Sequence, residues 1–476
     1  MTDGAFGVPA AGRASAPDGD WVDAMLLAGA DADVCLQLGR AVDRRELRRL
    51  VSEHQSLLGQ AGLRPGGTVT LVLPPSLAYV ASLLAAWRIG AQVSLLDHRL
   101  APREIERAID RLAPQVVVTA ERITSAPLSG YAEAVTAVAA QDAGQPAGTA
   151  HCLIQLSSGS TGPSKVIART ATDLIAELGR YRQFEEYPQD GHRIVLLASI
   201  VHVLGLVGGL LHSLHAGVTL VFPSRVTADG IRAAVAAGTE PTMVLGVPFH
   251  AELLSTAGGP RLPQLSRMVV AGELTRPGVP EAFTAAYGAP LGSMYGMTEL
   301  GVIATDLSGG HRPAVAPAPG MTVRTEDGEL LVSMAASPYI GLVDPTRWSA
   351  GWLHTRDAAR IDPETGLVTI LGRLDSQVSI GGLKVDLTEV EQTLCEVPGV
   401  TAAVVVFDGA IEAYVVLADG CPATSVTAAL SGQLASYKRP RLLHQLPEMP
   451  RTATGKIVRD RAVLRAHAGQ RTAALS

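Results

Sequence analysis

Residues 68–96 read TVTLVLPPSLAYVASLLAAWRIGAQVSLL, a short apolar run, a longer helical pattern and a second apolar run in succession. We predict strands at 68–73 and 92–96 and a helix at 77–89. Strands that alternate with helices are typical of a parallel sheet covered by helices. The alternation extends from residue 36 to about 150, and a second set with β-rich runs follows between residues 193 and 295, at 219–222, 242–245 and 267–270.

The pattern changes after this second set. Short strands separated by turns between residues 309 and 370 indicate a small antiparallel or barrel-like unit, and a compact unit with β-rich runs at 402–407 and 413–417 begins after residue 371. We predict an α/β protein whose large N-terminal body contains two parallel-type α/β subdomains and a small β-barrel-like subdomain, followed by a smaller α+β C-terminal domain. The predicted boundaries are a loose leader at 1–20, the N-terminal body at 21–374 and the C-terminal domain at 375–476.

Composition narrows the class of protein. The chain has 476 residues, 47% of them apolar and 18% charged, which is enough for two or more buried cores. A net charge of -6 argues against a nucleic-acid partner, because phosphate binders carry a basic excess. The four cysteines form no C-x-x-C pair, which fits neither a zinc site nor a disulfide framework and favours the cytoplasm: Cys35, Cys152, Cys395 and Cys421.

Residues 194–222 contain no Asp, Glu, Lys or Arg, and this length could cross a bilayer. Three histidines and four glycines interrupt the stretch, and buried strand–helix–strand units produce the same apolar runs. We therefore predict no membrane span. The first twenty residues lack a cationic start and an apolar core, so we expect them to be a leader segment and not a signal peptide.

The most informative motif is LSSGSTGPSK at residues 156–165, directly after the apolar run 152–156. Glycines allow successive N–H groups to turn toward an anion, hydroxyls add donors, and Lys165 supplies a charge, so the loop is suited to a triphosphate. It is not a Walker A loop, since Ser164 stands where that motif needs glycine. A flexible Ser/Gly linker is the alternative, although a linker rarely follows a buried strand and ends in lysine.

This loop and four later motifs resemble the adenylate-forming superfamily, which comprises acyl-CoA synthetases, stand-alone adenylation domains and luciferases. The segment YGMTE at 295–299 is similar to the family's Y-G-x-T-E. The resemblance implies that Tyr295 stacks on adenine, Thr298 contacts the α-phosphate and Glu299 holds Mg²⁺. A flat aromatic ring, a hydroxyl and a carboxylate suit these three partners.

The segment GWLHTRD at 351–357 resembles the family's G-W-x-x-T-G-D, and GRLD at 372–375 resembles its hinge. By this resemblance Asp357 binds the ribose hydroxyls, Arg373 contacts ribose or phosphate, and Asp375 is the pivot of the C-terminal domain. A structural ion pair between Asp357 and Arg373 is the alternative. The segment PRTATGK at 450–456 resembles the last family motif, whose lysine, here Lys456, bridges the acid carboxylate and the α-phosphate during adenylation.

Further segments concern the acid and the thiol. HVLG at 202–205 resembles the H-x-x-G of acyl- and aryl-acid members, and no acidic residue occurs between Asp190 and Asp229 to bind an amino acid's ammonium. We therefore predict a hydrophobic, non-amino-acid substrate, in a pocket formed by His202, Gly205, Gly246 and Val247. The remaining residues assigned to nucleotide or coenzyme A are Ser157, Ser158, Gly159, Ser160, Thr161, Gly162, Gly272, Glu273, Leu274, Gly296 and, in the pantetheine loop 379–384, Gly381, Gly382 and Lys384.

The chain departs from the family at Ser164, Val166, Arg356, Ser376 and Ser379. The resemblance predicts an acyl-CoA synthetase that uses ATP, Mg²⁺ and coenzyme A, with Lys165, Thr298, Glu299 and Lys456 as catalytic residues. The departures leave open an enzyme restricted to thioester formation from preformed acyl-AMP. A separate phosphopantetheinyl carrier protein is an alternative thiol, and a non-catalytic nucleotide-binding protein is an alternative of another class.

Overall fold

The computed structural model describes residues 19–156, 165–374, 376–418, 420–450, 457–468 and, for the backbone alone, 472–474. Its α-helices, α1 to α11 in chain order, are Arg44–Gln60, Leu77–Ile89, Pro102–Leu112, Ala171–Gln183, His212–Ala216, Ala228–Ala236, Pro248–Ala257, Val279–Tyr287, Leu387–Glu396, Ala423–Gln433 and Arg461–His467. Two π-helical segments, Val22–Leu26 and Leu204–Leu211, and one 3₁₀ turn, Ser436–Lys438, complete the helical elements.

The strands, β1 to β27 in chain order, are Val34–Leu38, Ala41–Asp43, Thr68–Val72, Gln92–Leu95, Val116–Thr124, Glu133–Ala140, Leu153–Leu156, Val166–Arg169, Arg193–Leu196, Thr219–Phe222, Thr242–Gly246, Leu265–Ala271, Leu291–Met297, Gly301–Asp306, Ala314–Pro317, Val323–Glu326, Glu329–Ser333, Tyr339–Ile340, Trp348–Ser349, Trp352–Ile361, Val368–Arg373, Gln377–Ile380, Leu383–Asp386, Val400–Phe407, Ile411–Leu417, Leu442–Leu446 and Thr472–Ala474.

The stretch that opened the sequence analysis forms the predicted β3–α2–β4 unit. The Ser76 side chain accepts a hydrogen bond from the Tyr79 N–H at 3.0 Å and caps the start of α2, and Gly90 ends the helix in the left-handed conformation. Every residue from Tyr79 to Trp87 is buried, because this helix is apolar on all sides. Strands β3, β4, β5 and β7 pair in parallel within a sheet of order β18-β8-β7-β4-β3-β5-β6.

A longer sheet has the order β16-β17-β20-β21-β15-β14-β13-β12-β11-β9-β10-β1-β2. Its strands from β1 through β10, β9, β11 and β12 to β13 are parallel, and those from β14 to β16 extend it in antiparallel fashion. The predicted α/β class is therefore confirmed. The barrel-like unit expected between residues 309 and 370 is instead an open extension of this sheet, because β14 and β15 pair directly, and the described strands close into no barrel.

The uncharged stretch 194–222 folds as a buried strand–helix–strand unit. It contains β9, the π-helical segment Leu204–Leu211, α5 and β10, and its strands pair in parallel within the long sheet. Among the described residues, no helix has both the length and the apolar character needed to span a bilayer.

The smaller C-terminal domain starts with the hairpin β22–β23. Strands β24 to β27 form a separate mixed sheet, and α9 and α10 cover it through a core that includes Val390, Leu394, Val426 and Leu430. The predicted pivot, Asp375, and the predicted boundaries at residues 20 and 375 stay predictions, since Asp375 and residues 1–18 lie outside the described residues.

Candidate active site

A cavity of about 2040 Å³ lies between the body and the C-terminal domain. Its lining brings together most of the residues that the sequence analysis singled out, namely Lys165, His202, Val247, Gly272, Glu273, Leu274, Tyr295, Gly296, Thr298, Glu299, Asp357, Arg373, Gly381, Gly382 and Lys384. Gly205 follows the lining residue Leu204 in the chain, and Gly246 precedes the lining residue Val247. Outside the described residues lie Ser157, Ser158, Gly159, Ser160, Thr161, Gly162, Asp375 and Lys456.

Tyr295, Asp357 and Arg373 form one hydrogen-bonded cluster on three strands of the long sheet, of which β20 and β21 are neighbours and β13 is separated from β21 by the two strands β15 and β14. Asp357 in β20 stands directly opposite Arg373 in β21, and the Arg373 Nη1 donates to Asp357 Oδ1 at 3.2 Å. The Tyr295 hydroxyl donates to Asp357 Oδ2 at 2.6 Å. Burial and the neighbouring Asp357 carboxylate raise the pKa of Tyr295 well above its ordinary value, so this hydroxyl stays protonated and acts as a donor.

The backbone around this cluster is fixed by Thr355. Its buried hydroxyl donates to the Leu330 carbonyl at 2.7 Å and accepts from the Asp357 N–H at 3.1 Å. Arg373 Nη1 also donates to the Thr355 carbonyl at 3.1 Å. The carboxylate of Asp357 is therefore held in one orientation before any ligand binds, which is what a ribose-binding group requires.

Glu299 is buried and its carboxylate is held by a residue that the motifs did not include. The Tyr339 hydroxyl donates to Glu299 Oε1 at 2.9 Å, and burial together with the Glu299 charge raises the pKa of Tyr339 above its ordinary value. Tyr339 lies in the short strand β18, 40 positions away in the chain, and no local pattern pointed to it. No group of three or more His, Cys, Asp or Glu side chains in the described parts of the chain could hold a metal ion.

Two of the departures from the family have structural explanations. Arg356 adopts φ 61°, a left-handed conformation in which glycine is favoured, and its N–H donates to Glu329 Oε1 at 2.8 Å. Its guanidinium lies 3.9 Å from Glu329 Oε2, and the cavity lining contains Thr355 and Asp357 on either side but not Arg356. Val166 begins β8 and pairs with Leu156 and Ile340, so a β-branched residue suits the position.

The predicted acid pocket depends on two glycines that allow close approaches. A Cβ at Gly205 would lie 2.3 Å from the Ser199 carbonyl oxygen, and one at Gly246 would lie 2.9 Å from His250 Nδ1. That nitrogen accepts a hydrogen bond from the Val247 N–H at 3.2 Å and caps α7, and burial lowers the pKa of His250 to about 4. A neutral His250 therefore fixes the direction of Val247, which faces the cavity.

His202 lies at the wall of the same cavity. Its Nε2 atom is buried and has no hydrogen-bond partner among the described residues. Burial lowers its pKa, against the opposing effect of the Asp97 carboxylate, so the imidazole is neutral near pH 7.

The pantetheine loop predicted from the sequence lies on the body at Gly272 and Glu273, two residues that the sequence analysis assigned to nucleotide or coenzyme A. The Gly382 N–H donates to Glu273 Oε1 at 2.7 Å, and Lys384 Nζ donates to the Gly272 carbonyl at 2.8 Å. A Cβ at Gly382 would lie 2.3 Å from Val247 Cγ1, and its φ of 81° also favours glycine. Only glycine therefore lets this loop rest on the acid-pocket wall.

One cavity is thus bordered by the Tyr295–Asp357–Arg373 cluster, a buried carboxylate and a glycine loop from a second domain, the arrangement that the resemblance to adenylate-forming enzymes predicts. The chain belongs to the AMP-binding enzyme family: the model of that family matches residues 28–333, and that of the AMP-binding enzyme C-terminal domain matches residues 389–456. This confirms the predicted resemblance to the adenylate-forming superfamily and its acyl-CoA synthetase branch.

Curated relatives cover nearly all of the chain. A feruloyl-CoA synthase of Amycolatopsis sp is 28% identical, over 88% of this chain and 93% of its own length. A 3-hydroxybenzoate/4-hydroxybenzoate–CoA ligase of Thauera aromatica is 27% identical, over 89% of this chain and 91% of its own length.

Solved structures share the fold. An o-succinylbenzoate CoA synthetase from Bacillus subtilis has a TM-score of 0.77 at 22% identity, covering 94% of this chain and 97% of its own. An amide bond synthetase from Marinactinospora thermotolerans has a TM-score of 0.75 at 24% identity, covering 94% of this chain and 99% of its own.

Proposed function

We propose that this enzyme joins a hydrophobic, aromatic-type carboxylic acid to coenzyme A through an acyl-adenylate, and that it catalyses both half-reactions. The observation that carries the proposal is the single cavity that connects the Tyr295–Asp357–Arg373 cluster with the loop around Gly382. One site that borders both a nucleotide cluster and a thiol loop suits two consecutive acyl-transfer steps.

The substrate class follows from the walls of the acid pocket. The wall segments 196–205, 246–247 and 293–297 contain no Asp, Glu, Lys or Arg, and the lining residue Asp97, whose charge acts on His202, is already paired with Arg99 at 2.6 Å. Apolar side chains such as Val203, Val247 and Met294 favour a ring or an alkyl chain. The names of the relatives, which act on ferulate and hydroxybenzoate, support an aromatic acid.

In the first half-reaction an oxygen of the acid carboxylate attacks the α-phosphorus of ATP, and pyrophosphate leaves. In the second, the coenzyme A sulfur attacks the acyl carbon, AMP leaves with the electron pair of the broken C–O bond, and the thiol proton passes to solvent. We assign Tyr295 to adenine, Asp357 to the ribose hydroxyls and Thr298 to the α-phosphate. Lys165 and Lys456 would stabilise the anionic groups during adenylation.

The residues present fit a magnesium ion bound together with nucleotide phosphates. Mg²⁺ takes one or two protein carboxylates and keeps phosphate and water as its other ligands. Glu299 offers one carboxylate, and the Tyr339 hydroxyl fixes one of its oxygens. Mg²⁺ at Glu299 would supply neutralisation of phosphate charge.

The geometry of Arg356 supports a complete ligase over an enzyme restricted to thioester formation. In the sequence, Arg356 replaces the family's glycine and could place a bulky cation beside the nucleotide. Its guanidinium, however, faces Glu329, and Tyr295, Asp357 and Arg373 keep their mutual contacts.

The experiment is a panel of benzoic, hydroxybenzoic and cinnamic acids, tested with ATP and in parallel as synthetic acyl-adenylates, with coenzyme A or a phosphopantetheinyl carrier protein as thiol. We expect coenzyme A thioester and pyrophosphate from at least one acid with ATP. Thioester from acyl-adenylates alone would identify the restricted enzyme, and transfer to the carrier alone would identify the carrier as the acceptor. AMP binding without any turnover would instead favour a non-catalytic protein.

One further variant tests whether Lys456 acts in the adenylation half-reaction alone. Lys456→Ala should abolish pyrophosphate exchange, because no ammonium then bridges the carboxylate and the phosphate, and should retain thioester formation from supplied acyl-adenylate. Equal loss of both reactions would contradict the assigned role of Lys456.

A further inference from the structure

A second contact between the body and the C-terminal domain lies on helix α3, in another part of the same cavity lining. Lys438 of the C-terminal domain donates to Glu104 Oε1 of α3 at 2.7 Å and to Glu389 Oε1 of α9 at 2.9 Å. The side chains of Lys438 and Glu104 are 8% and 9% exposed, so this ion pair is largely removed from water.

Glu104 is also tied to the backbone of both domains. Its Oε2 accepts the Ala101 N–H at 2.9 Å, which caps α3, and the Ala435 N–H of the C-terminal domain at 2.7 Å. Both oxygens of this carboxylate therefore bind the C-terminal domain. Glu104 and Lys438 are 334 positions apart in the chain, and neither belongs to a motif.

The electrostatics of this contact depend on the domain arrangement. Burial on its own would lower the pKa of Lys438, but Glu389 and Glu104 outweigh it, and the pKa lies above its ordinary value. Buried charges are tolerated when they are paired, and removal of one partner leaves the other uncompensated. The contact with Glu104 exists only while the C-terminal domain rests on α3, whereas Glu389 lies in the same domain as Lys438 and does not depend on that arrangement.

We propose that Glu104 and Lys438 are positioning residues for the thiol-transfer half-reaction, because their buried pair holds the C-terminal domain where Gly382 and Lys384 contact the body. The proposal rests on the proposed function, in which that loop borders the path of the thiol. The pair contributes to the arrangement seen here and contributes nothing once the domain has rotated, so it biases the equilibrium between the two arrangements.

The test measures the two half-reactions separately. Lys438→Met should slow thioester formation from supplied acyl-adenylate at least tenfold and leave ATP–pyrophosphate exchange within twofold. Glu104→Gln, which keeps an acceptor for both backbone N–H groups, should give the same split with a smaller loss. The double variant should be slower by less than the product of the two single losses, since the two groups act as one pair.

Glu396→Gln is the matched control at the same interface, because Glu396 is not among the residues that line the cavity. Arg107 pairs with Glu396 of the C-terminal domain at 3.5 Å, but both side chains are 60% exposed, and such pairs contribute little. We expect less than a twofold change in either half-reaction. Equal losses of both half-reactions in Lys438→Met, or independent effects in the double variant, would overturn the proposal.

Small-angle X-ray scattering of the unliganded protein separates this proposal from the proposed function. Lys438→Met should increase the radius of gyration relative to the wild type and to Glu396→Gln, whatever acid the enzyme accepts. An unchanged scattering profile would overturn the positioning role even where the acid panel succeeds. If no acid of the panel reacts but Lys438→Met has a larger radius of gyration, the substrate assignment is rejected and the positioning role of Glu104 and Lys438 stands.

Discussion

The nucleotide side and the thiol side of the cavity are built in different ways. On the nucleotide side, Tyr295, Asp357 and Arg373 come from strands of one sheet within the body, and their hydrogen bonds exist whatever the position of the C-terminal domain. On the thiol side, Gly382 and Lys384 contact Gly272 and Glu273 across two domains. The first surface lies within the body, whereas the second needs contact between the two domains. Mutations on the nucleotide side should therefore affect both half-reactions, and mutations on the thiol side should affect thioester formation alone.

The largest loss of activity is expected from a mutation on the nucleotide side of the cavity. Asp357→Asn removes the charge that binds Arg373 and Tyr295 and, by our assignment, the ribose, and charge-assisted hydrogen bonds contribute roughly 1.5–3 kcal/mol each. We expect kcat/KM for ATP to fall about 100-fold, and thioester formation from acyl-adenylate to fall with it. Glu364→Gln, at the exposed turn before β21, is the control in the same steady-state assay. A loss in only one half-reaction would argue against a shared nucleotide site.

The second-largest loss is expected from a mutation on the thiol side and should affect the rate of thioester formation only. Gly382→Ala places a methyl group 2.3 Å from Val247 Cγ1 at a φ of 81°, so the loop must leave the body. We expect stopped-flow measurements to give thioester formation slower by a factor of ten or more, with pyrophosphate exchange unchanged. Gly366→Ala is the matched control, because Gly366 has a φ of 71° but no atom within 4 Å of the added carbon. Comparable loss in the control would mean that backbone strain alone explains the result.

A smaller change is expected at Glu299. Tyr339→Phe removes the hydroxyl that fixes Glu299 Oε1 and keeps the ring. We expect the Mg²⁺ concentration for half-maximal pyrophosphate exchange to rise about three- to tenfold, since the loss of a hydrogen-bond partner of a metal ligand has effects of this order or larger. An unchanged half-saturating Mg²⁺ concentration would show that the Tyr339 hydroxyl does not contribute to Mg²⁺ binding.

The smallest change concerns Arg356. Arg356→Gly relieves a left-handed conformation that costs a non-glycine residue about 1–2 kcal/mol, and part of this gain is lost because glycine makes the unfolded chain more flexible. We expect the free energy of unfolding in urea to rise by less than about 1 kcal/mol. The KM for ATP should stay within twofold of the wild type. A large drop in this KM would show that the guanidinium does obstruct the nucleotide.

The features that the sequence predicted correctly depend on local signals. Helix α2 has the predicted bounds because Ser76 and Gly90 cap it at either end and the residues between are apolar. Tyr295, Asp357 and Arg373 were each singled out by a motif, and the sheet brings them together. What the sequence did not predict depends on contacts between distant segments. The open course of β14 to β21 is decided by pairing between strands, Tyr339 reaches Glu299 from another sheet, and Glu104 meets Lys438 only after the domains dock.

Val247 is shared by two surfaces, with Gly382 resting on its side chain and the acid pocket on its other side. A bulky acid that pushes this residue outward would also lift the loop that has to settle there before the thiol can react. Such an acid would be activated and then stall as its adenylate. The side chain of Val247 would therefore limit the size of the acid twice, once during adenylation and again during thioester formation.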